Sequence, residues 1–403
     1  MRFTLLCKVC GKNVPFGLKT KICSCGGNLN IEYDMEIVKQ TFTKESLTHR
    51  DSTMWRYAEL LPLENKANIV SLGEGWTPLI PLRKAEAMLS INKIWVKREE
   101  QNPTNSFKSR GFSAAISLAK EYGVNQVAVN SNGNAASALA AYASYAGMKS
   151  YVFLPKDCPS LLVKECLEYG AHTFLVDGFI HDAGAIVKEG ETLQGWHNIG
   201  TLKEHGRVEG KKTMGFEIAE QLNWKLPDVI IYPTGGGSGI VGMWSAFLEL
   251  QQLGFVTGDL PRMVSVQEKG CHPLVHALES TGRFIPQTAN ITSTPTGMRV
   301  PNPPDGQLLV SILYQSGGTA IAVDKEEITQ AQVSLGHQGI SSSPEGAATF
   351  AGLLKLVEQG WISPKDEVVL FNTSCSMKYM SITHTDLPII KTFEDWAKLS
   401  TNQ

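Results

Sequence analysis

Short apolar runs alternate along this chain with stretches of helical period. Ile94 to Lys97, Gln126 to Asn130, Ser150 to Leu154, Thr173 to Val176, Val229 to Tyr232, Met263 to Gln267 and Val368 to Asn372 read as buried strands. Each is preceded or followed by a segment of helical period, among them Gly111 to Tyr122, Ala135 to Ala146 and Ile240 to Leu253. Strands that alternate with helices predict a doubly wound α/β fold with twisted, mostly parallel sheets. No internal repeat or low-complexity tract interrupts the pattern, and its least regular stretch is Phe284 to Gln307.

The chain has 403 residues, 42% of them hydrophobic, which is ordinary for a soluble protein and large enough for two lobes. Its 37 basic and 39 acidic residues give a formal charge of −2 and are interspersed, which argues against a nucleic-acid partner. No 18-residue apolar run is present, and the opening Met1-Arg2-Phe3-Thr4-Leu5-Leu6-Cys7 is too short for a signal peptide, so the expectation is a cytoplasmic protein without a membrane partner. Eight cysteines in such a length do not form a disulfide framework. Four of them crowd the N-terminus, as Cys7-x-x-Cys10 and Cys23-x-Cys25. Four soft thiolates suit a structural zinc ion, and an arm over residues 1–45 with few large apolar groups would need such a staple to fold. The second pair is one residue shorter than the usual knuckle, so four free thiols are the alternative.

Three strand–turn–helix junctions carry candidate chemistry. In Asn102-Pro103-Thr104-Asn105-Ser106-Phe107-Lys108-Ser109-Arg110-Gly111 a turn delivers Lys108 near a helix N-terminus, where the macrodipole favours the neutral amine that attacks an aldehyde. In Thr234-Gly235-Gly236-Gly237-Ser238-Gly239 a glycine loop between strand and helix suits a phosphate cradle, a bare glycine-rich turn being the alternative. No Gly-Lys-Ser/Thr follows, so it is not a Walker loop, and Gly237, Gly239 and Gly242 meet the dinucleotide fingerprint only loosely. Asn130-Ser131-Asn132-Gly133-Asn134 presents N–H groups and side-chain amides suited to a carboxylate or ring oxygen.

In this order and spacing the three segments resemble the fold-type II (tryptophan synthase β-like) pyridoxal phosphate enzymes, and within them the threonine synthase-like family. Further matches are Glu74-Gly75-Trp76-Thr77-Pro78-Leu79, Gly206-Arg207-Val208-Glu209-Gly210-Lys211-Lys212-Thr213, Ser343-Pro344-Glu345-Gly346-Ala347-Ala348 and Phe371-Asn372-Thr373. The resemblance implies two lobes, a large cofactor-binding one over residues 46–88 and 199–395 and a smaller mobile one over 89–198, with the zinc-ribbon-like arm in front. It implies a pyridoxal 5′-phosphate aldimine on Lys108, which then carries protons between substrate carbons. Phe107 would pack on the cofactor ring and Asn134 would bond its 3′-hydroxyl. Gly235, Gly236, Gly237, Ser238 and Gly239 would hold its phosphate, and Thr373 would meet its ring nitrogen. A hydroxyl there moderates the electron sink, as β-chemistry requires. Ser131, Asn132 and Gly133 would take the substrate carboxylate, and Arg207, with Lys211 or Lys212, a substrate phosphate. A surface Arg207–Glu pair is the alternative reading of that arginine. The family also implies a homodimer.

The implied reaction converts O-phospho-L-homoserine and water to L-threonine and phosphate. Departures keep alternatives open, because family members usually carry glycine at the positions of Asn105, Ser374 and Ser376, and aspartate or alanine at that of Ser109. Two serines and Cys375 beside the ring nitrogen would narrow or repolarise the pocket. That admits a β-replacement synthase using O-phosphoserine or a related donor, then a serine/threonine ammonia-lyase, and finally a non-catalytic cofactor-binding homologue. Cys375 itself reads as a small packing residue.

Overall fold

The computed structural model describes residues 2–7, 9–201, 204–292, 295–380 and 389–393. Strands β1 (Phe3–Cys7), β2 (Asn13–Val14) and β3 (Leu29–Tyr33) form a small antiparallel sheet of order β2-β1-β3. The next two are β4 (Leu79–Pro81) and β5 (Lys93–Arg98), and then come β6 (Gln126–Asn130), β7 (Lys149–Pro155), β8 (His172–Val176) and β9 (His197–Asn198). The last four are β10 (Val229–Pro233), β11 (Arg262–Glu268), β12 (Thr319–Val323) and β13 (Glu367–Asn372). A six-stranded sheet has the order β12-β11-β10-β13-β5-β4, parallel except for the antiparallel edge β4; a four-stranded parallel sheet has the order β8-β7-β6-β9.

All seven strands expected from apolar runs are present to within a residue or two at each end. β10 is buried at every position because helices cover both faces of its sheet, so its sequence is a continuous apolar run and not an alternation. β5 belongs to the six-stranded sheet, so the smaller sheet lies wholly within residues 126–198. Lys108 therefore follows a strand of one sheet and opens a helix leading into the other.

The N-terminal arm corrects one expectation. Phe3, Leu5, Phe16, Leu18, Leu29, Tyr33 and Phe42 are buried in one cluster with Tyr57, Leu60, Phe216 and Leu250 of the body. β1 alternates buried and half-buried positions, which sends Phe3, Leu5 and Cys7 to the covered face. The arm shares a core with the rest of the chain and does not depend on a metal for all of its packing.

Helices Lys108–Glu121 and His205–Gln221 pack closely, and a glycine at their crossing explains how. A Cβ at Gly210 would collide with the backbone carbonyl of Arg110. At this crossing lies a fully buried ion cluster. Arg110 pairs with Glu99 (2.7 Å) and Glu217 (2.5 Å), and Lys97 pairs with the other oxygen of Glu217 (2.8 Å), all four side chains having no exposed surface. Thr77 Oγ1 donates to Glu99 Oε1 at 2.6 Å and completes the set. The cluster ties β5, the loop before β4 and both helices together directly beneath Lys108.

Candidate active site

A cleft of about 390 Å³ opens between the two sheets, within the range of small-molecule sites. It is lined by Phe107, Lys108, Ser131, Asn132, Gly133, Asn134, Gly235, Gly236, Gly237, Ser238, Gly239 and Thr373. These come from four separated segments, and each is one that the sequence motifs singled out.

Lys108 is the first residue of helix Lys108–Glu121, three residues earlier than the periodicity indicates, because the buried hydroxyls of Thr104 and Ser109 close the preceding turn at 2.8 Å. Its half-buried ammonium lies 4.0 Å from the Phe107 ring centroid. Burial, followed by the charge of Arg207 and opposed by Glu345, brings its pKa down to about 7. A reactive amine is thus available near neutral pH. The Phe107 N–H donates to the Thr373 carbonyl at 3.1 Å, which fastens the lysine turn to the end of β13.

The glycine loop joins β10 to helix Ser238–Gln252. Gly237 has φ of +77° and would strike Leu309 if it carried a Cβ, so only glycine turns the chain here without strain. The leading N–H groups of that helix are left for a ligand. On the opposite sheet Asn134 opens helix Asn134–Tyr145. Its Nδ2 donates to the Tyr379 hydroxyl at 2.7 Å, and its Oδ1 is buried without a partner. The Ser131 hydroxyl accepts the N–H groups of Gly133 (3.0 Å) and Ala136 (3.1 Å) and so shapes the helix start. Asn132 Nδ2 reaches across the cleft to the Thr296 carbonyl at 3.0 Å.

Arg207 is fully buried and sits behind Thr201, which lines the cleft. Its guanidinium lies 3.9 Å from the Phe112 centroid, donates to the Ile199 carbonyl at 2.5 Å, and leaves Nε without a partner. Burial brings its pKa down to about 10, partly countered by Glu204. A surface Arg–Glu pair is therefore ruled out. Lys212 points away from the cleft, between Glu209 and Glu249, whereas Lys211 Nζ donates to Ser238 Oγ at 2.7 Å.

The departures from the family pattern have local explanations. Asn105 has φ of +49°, a left-handed conformation that asparagine tolerates better than most residues and that glycine adopts freely. Ser374 Oγ donates to the Asn105 carbonyl at 2.9 Å and Ser376 Oγ meets Ser341 Oγ at 2.7 Å. Neither serine lines the cleft, nor does Cys375. The expectation that these three residues narrow or repolarise the pocket is corrected: none of them lines it, and the two serines secure loops behind Thr373.

Several cleft residues received no role from the motifs, Glu345 and Tyr379 among them. Glu345 and Tyr379 both line the cleft, and Gly297 N–H donates to Glu345 Oε1 at 3.2 Å while Oε2 has no partner. Burial pushes the Glu345 carboxyl up, and burial together with the Glu345 charge does the same to the Tyr379 phenol. Ser343-Pro344-Glu345-Gly346 was visible as a motif, but only the fold turns its carboxylate toward Asn134 and Lys108.

In the arm, the Sγ atoms of Cys7, Cys10, Cys23 and Cys25 lie within 4.8 Å of one another, with Cys7–Cys25 at 3.5 Å and Cys10–Cys23 at 3.7 Å. A tetrahedron of Zn–S bonds has edges of about 3.8 Å, so the four thiols fit that ion.

Residues 70–374 match the family described as pyridoxal-phosphate dependent enzyme. The chain is 37% identical over 374 residues to a threonine synthase of Methanocaldococcus jannaschii, covering 92% of both chains. It is 36% identical over 379 residues to one of Methanosarcina acetivorans, covering 93% of this chain and 92% of that one. This chain belongs to the threonine synthase-like family of pyridoxal phosphate-dependent enzymes.

Solved structures show the same fold. Maize serine racemase superposes with a TM-score of 0.62 at 21% identity, covering 81% of this chain and 93% of that one. Diaminopropionate ammonia lyase of Escherichia coli gives 0.65 at 18% identity, covering 77% and 87%. For a family member the cleft is consistent in detail: a nucleophilic amine at neutral pH, a glycine cradle that tolerates no side chain at Gly237, and an orphaned amide oxygen on Asn134. Pyridoxal phosphate fits these residues. Among the described residues no helix is long and apolar enough to cross a membrane.

Proposed function

We propose that this enzyme is a threonine synthase-type carbon–oxygen lyase that converts O-phospho-L-homoserine and water to L-threonine and phosphate. The observation that carries the reading is a set of three basic side chains, Lys108 in the cleft lining, Arg207 behind Thr201 and Lys211 behind Ser238. Lys108, Arg207 and Lys211 bear on one another electrostatically, and among the described residues neither Arg207 nor Lys211 forms an ion pair with a carboxylate. Such a cluster is suited to a phosphorylated amino acid besides a phosphorylated cofactor. The threonine synthases that match over nine-tenths of their length support the same reading.

Gly235–Gly239, Asn134 and Thr373 would hold pyridoxal phosphate, which when bound would supply an electron sink for a carbanion at the substrate Cα. The protein does the rest. The N-terminus of helix Asn134–Tyr145, with Ser131, Asn132 and Gly133, receives the substrate carboxylate. Lys108 Nζ takes the proton from Cα and then moves protons at Cβ and Cγ. The Cγ–O bond breaks and its electron pair leaves with phosphate, whose charge Arg207 stabilises from behind Thr201. Water then adds its oxygen to Cβ, and Cγ ends as the methyl group.

Incubation with O-phospho-L-homoserine should release phosphate and threonine in equal amounts. Phosphate from O-phosphoserine but not from O-phosphohomoserine would instead select the β-replacement reading. That reading lost its main support when Ser374 and Ser376 proved to face away from the cleft.

The four cysteines of the arm are proposed to hold one structural zinc, since four protein thiolates leave no position for a reactive water. Metal analysis of the purified protein should find one equivalent, and Cys23→Ser should lower the melting temperature while leaving turnover by the remaining folded enzyme unchanged. Less than half an equivalent in the wild type would reject the site.

A further inference from the structure

Lys211 and Lys212 are consecutive in helix His205–Gln221 and both are fully buried, yet their surroundings are opposite. Lys212 Nζ sits 2.7 Å from Glu209 and 2.9 Å from Glu249, over the Tyr33 ring. Burial works against its charge, and the two carboxylates outweigh burial and raise its pKa. Lys211 Nζ makes one hydrogen bond, to the neutral hydroxyl of Ser238. Among the described residues no carboxylate lies within ion-pair distance of it. Burial, then the charges of Arg207 and Lys108, hold its pKa well below that of an ordinary lysine, with only Glu204 opposing. A buried ammonium without a counter-ion is among the costliest groups in a protein interior.

Ser238 is the first residue of the helix that follows the glycine loop, and it lines the cleft together with Gly235, Gly236 and Gly237. Lys211, itself outside the cleft lining, thus reaches the first helical residue of an anion cradle from behind. It also lies 5.6 Å from the centroid of the Phe107 ring that Lys108 approaches at 4.0 Å, so both amines converge on one wall. The counter-ion that the protein omits is the one that a ligand would bring.

We propose that Lys211 is the cationic arm of a phosphate-monoester site on the Gly235–Gly239 loop, adding a charge to a cradle otherwise built from neutral N–H and O–H donors. The inference rests on the family's cofactor and not on which amino acid is the substrate. A phosphate monoester reaches this cleft from two sources, the cofactor and a phosphorylated substrate, and the test separates them.

Wild-type, Lys211→Met and Lys211→Arg proteins, stripped of cofactor, are titrated with pyridoxal 5′-phosphate and with unphosphorylated pyridoxal, following visible absorbance. Inorganic phosphate is then assayed as an inhibitor of each reloaded protein. Lys211→Met should bind pyridoxal 5′-phosphate roughly tenfold to a hundredfold more weakly, with pyridoxal affinity unchanged and Lys211→Arg largely restored, since a charged hydrogen bond is worth that much. Unchanged cofactor affinity with weakened inhibition by inorganic phosphate would keep the site and assign it to the substrate's phosphate. Equal losses for pyridoxal and its phosphate, or no change in either assay, would overturn the proposal. Removing a buried amine that has no counter-ion should leave the stripped Lys211→Met protein melting no lower than wild type; a lower melting temperature would make Lys211 a structural residue and overturn it too. A wild-type protein that binds neither compound would refute the cofactor assignment itself.

Discussion

Lys108→Ala is expected to lower turnover by roughly a thousandfold or more, because it removes both the nucleophile and the proton carrier. The protein should remain folded, since the Lys108 ammonium has no ion-pair partner among the described residues and its side chain lines the cleft beside Phe107. Loss of the visible absorbance change on adding pyridoxal 5′-phosphate, with an unaltered far-ultraviolet circular dichroism spectrum, would confirm the role. Retained turnover would move the chemistry to another residue. The pH dependence has a definite sign. Burial and Arg207 bring the Lys108 pKa to about 7, and only the unprotonated amine attacks an aldehyde, so cofactor capture by the stripped protein should accelerate as pH rises through about 7. Arg207→Gln would remove one source of that depression and move the midpoint upward. A non-catalytic homologue would show cofactor binding that is indifferent to Lys108.

The largest stability effect is expected at Glu217. Glu217→Ala leaves Arg110 and Lys97 buried with one carboxylate between them, Glu99 on Arg110, and breaking a buried pair in this way costs about 3–5 kcal/mol. Burial alone would push the Glu217 carboxyl up; Arg110 and then Lys97 overcome it and hold its pKa at about 2. A carboxyl whose pKa is lowered in the folded state stabilises the fold above its unfolded pKa, near 4.5. That contribution is lost as pH falls from there toward about 2. Chemical denaturation of wild type and Glu217→Gln at pH 7 and pH 3 tests both statements: the difference between the proteins should shrink at the lower pH. An equal difference at both would show that Glu217 acts through packing and not through charge. Because the cluster underlies the Lys108 turn, the variant should also bind cofactor more weakly in proportion to its loss of folded protein.

The sequence legibly contained the strands and the three loops. A strand covered on both faces must be apolar throughout, as β10 is, and a glycine loop between a strand and a helix has one geometry that suits phosphate. These are local constraints, and local constraints survive in the order of residues. The strands β1, β2 and β3 of the arm and β4, β9 and β12 were not marked: β2 and β9 have only two residues, and β4 and β12 lie at sheet edges, where burial is partial and the apolar signal is weak.

The pairing of charges was invisible in one dimension. Arg110 and Glu217 lie more than a hundred positions apart, and nothing at either position distinguishes a buried partner from a solvated surface charge. The same holds for Lys211 and Lys212, adjacent and chemically identical, where a step of one residue, about 100° around the helix, places the first against the glycine loop and the second against two carboxylates. Ser374 and Ser376 looked like changes to the pocket and are loop fastenings, since direction as well as position decides what a side chain touches. What the chain determined alone was most of the elements of its two larger sheets, and the glycine loop and lysine proposed as phosphate cradle and reactive amine. The tertiary structure decided which charges are compensated and which await a ligand, because burial and partners are properties of the packed molecule.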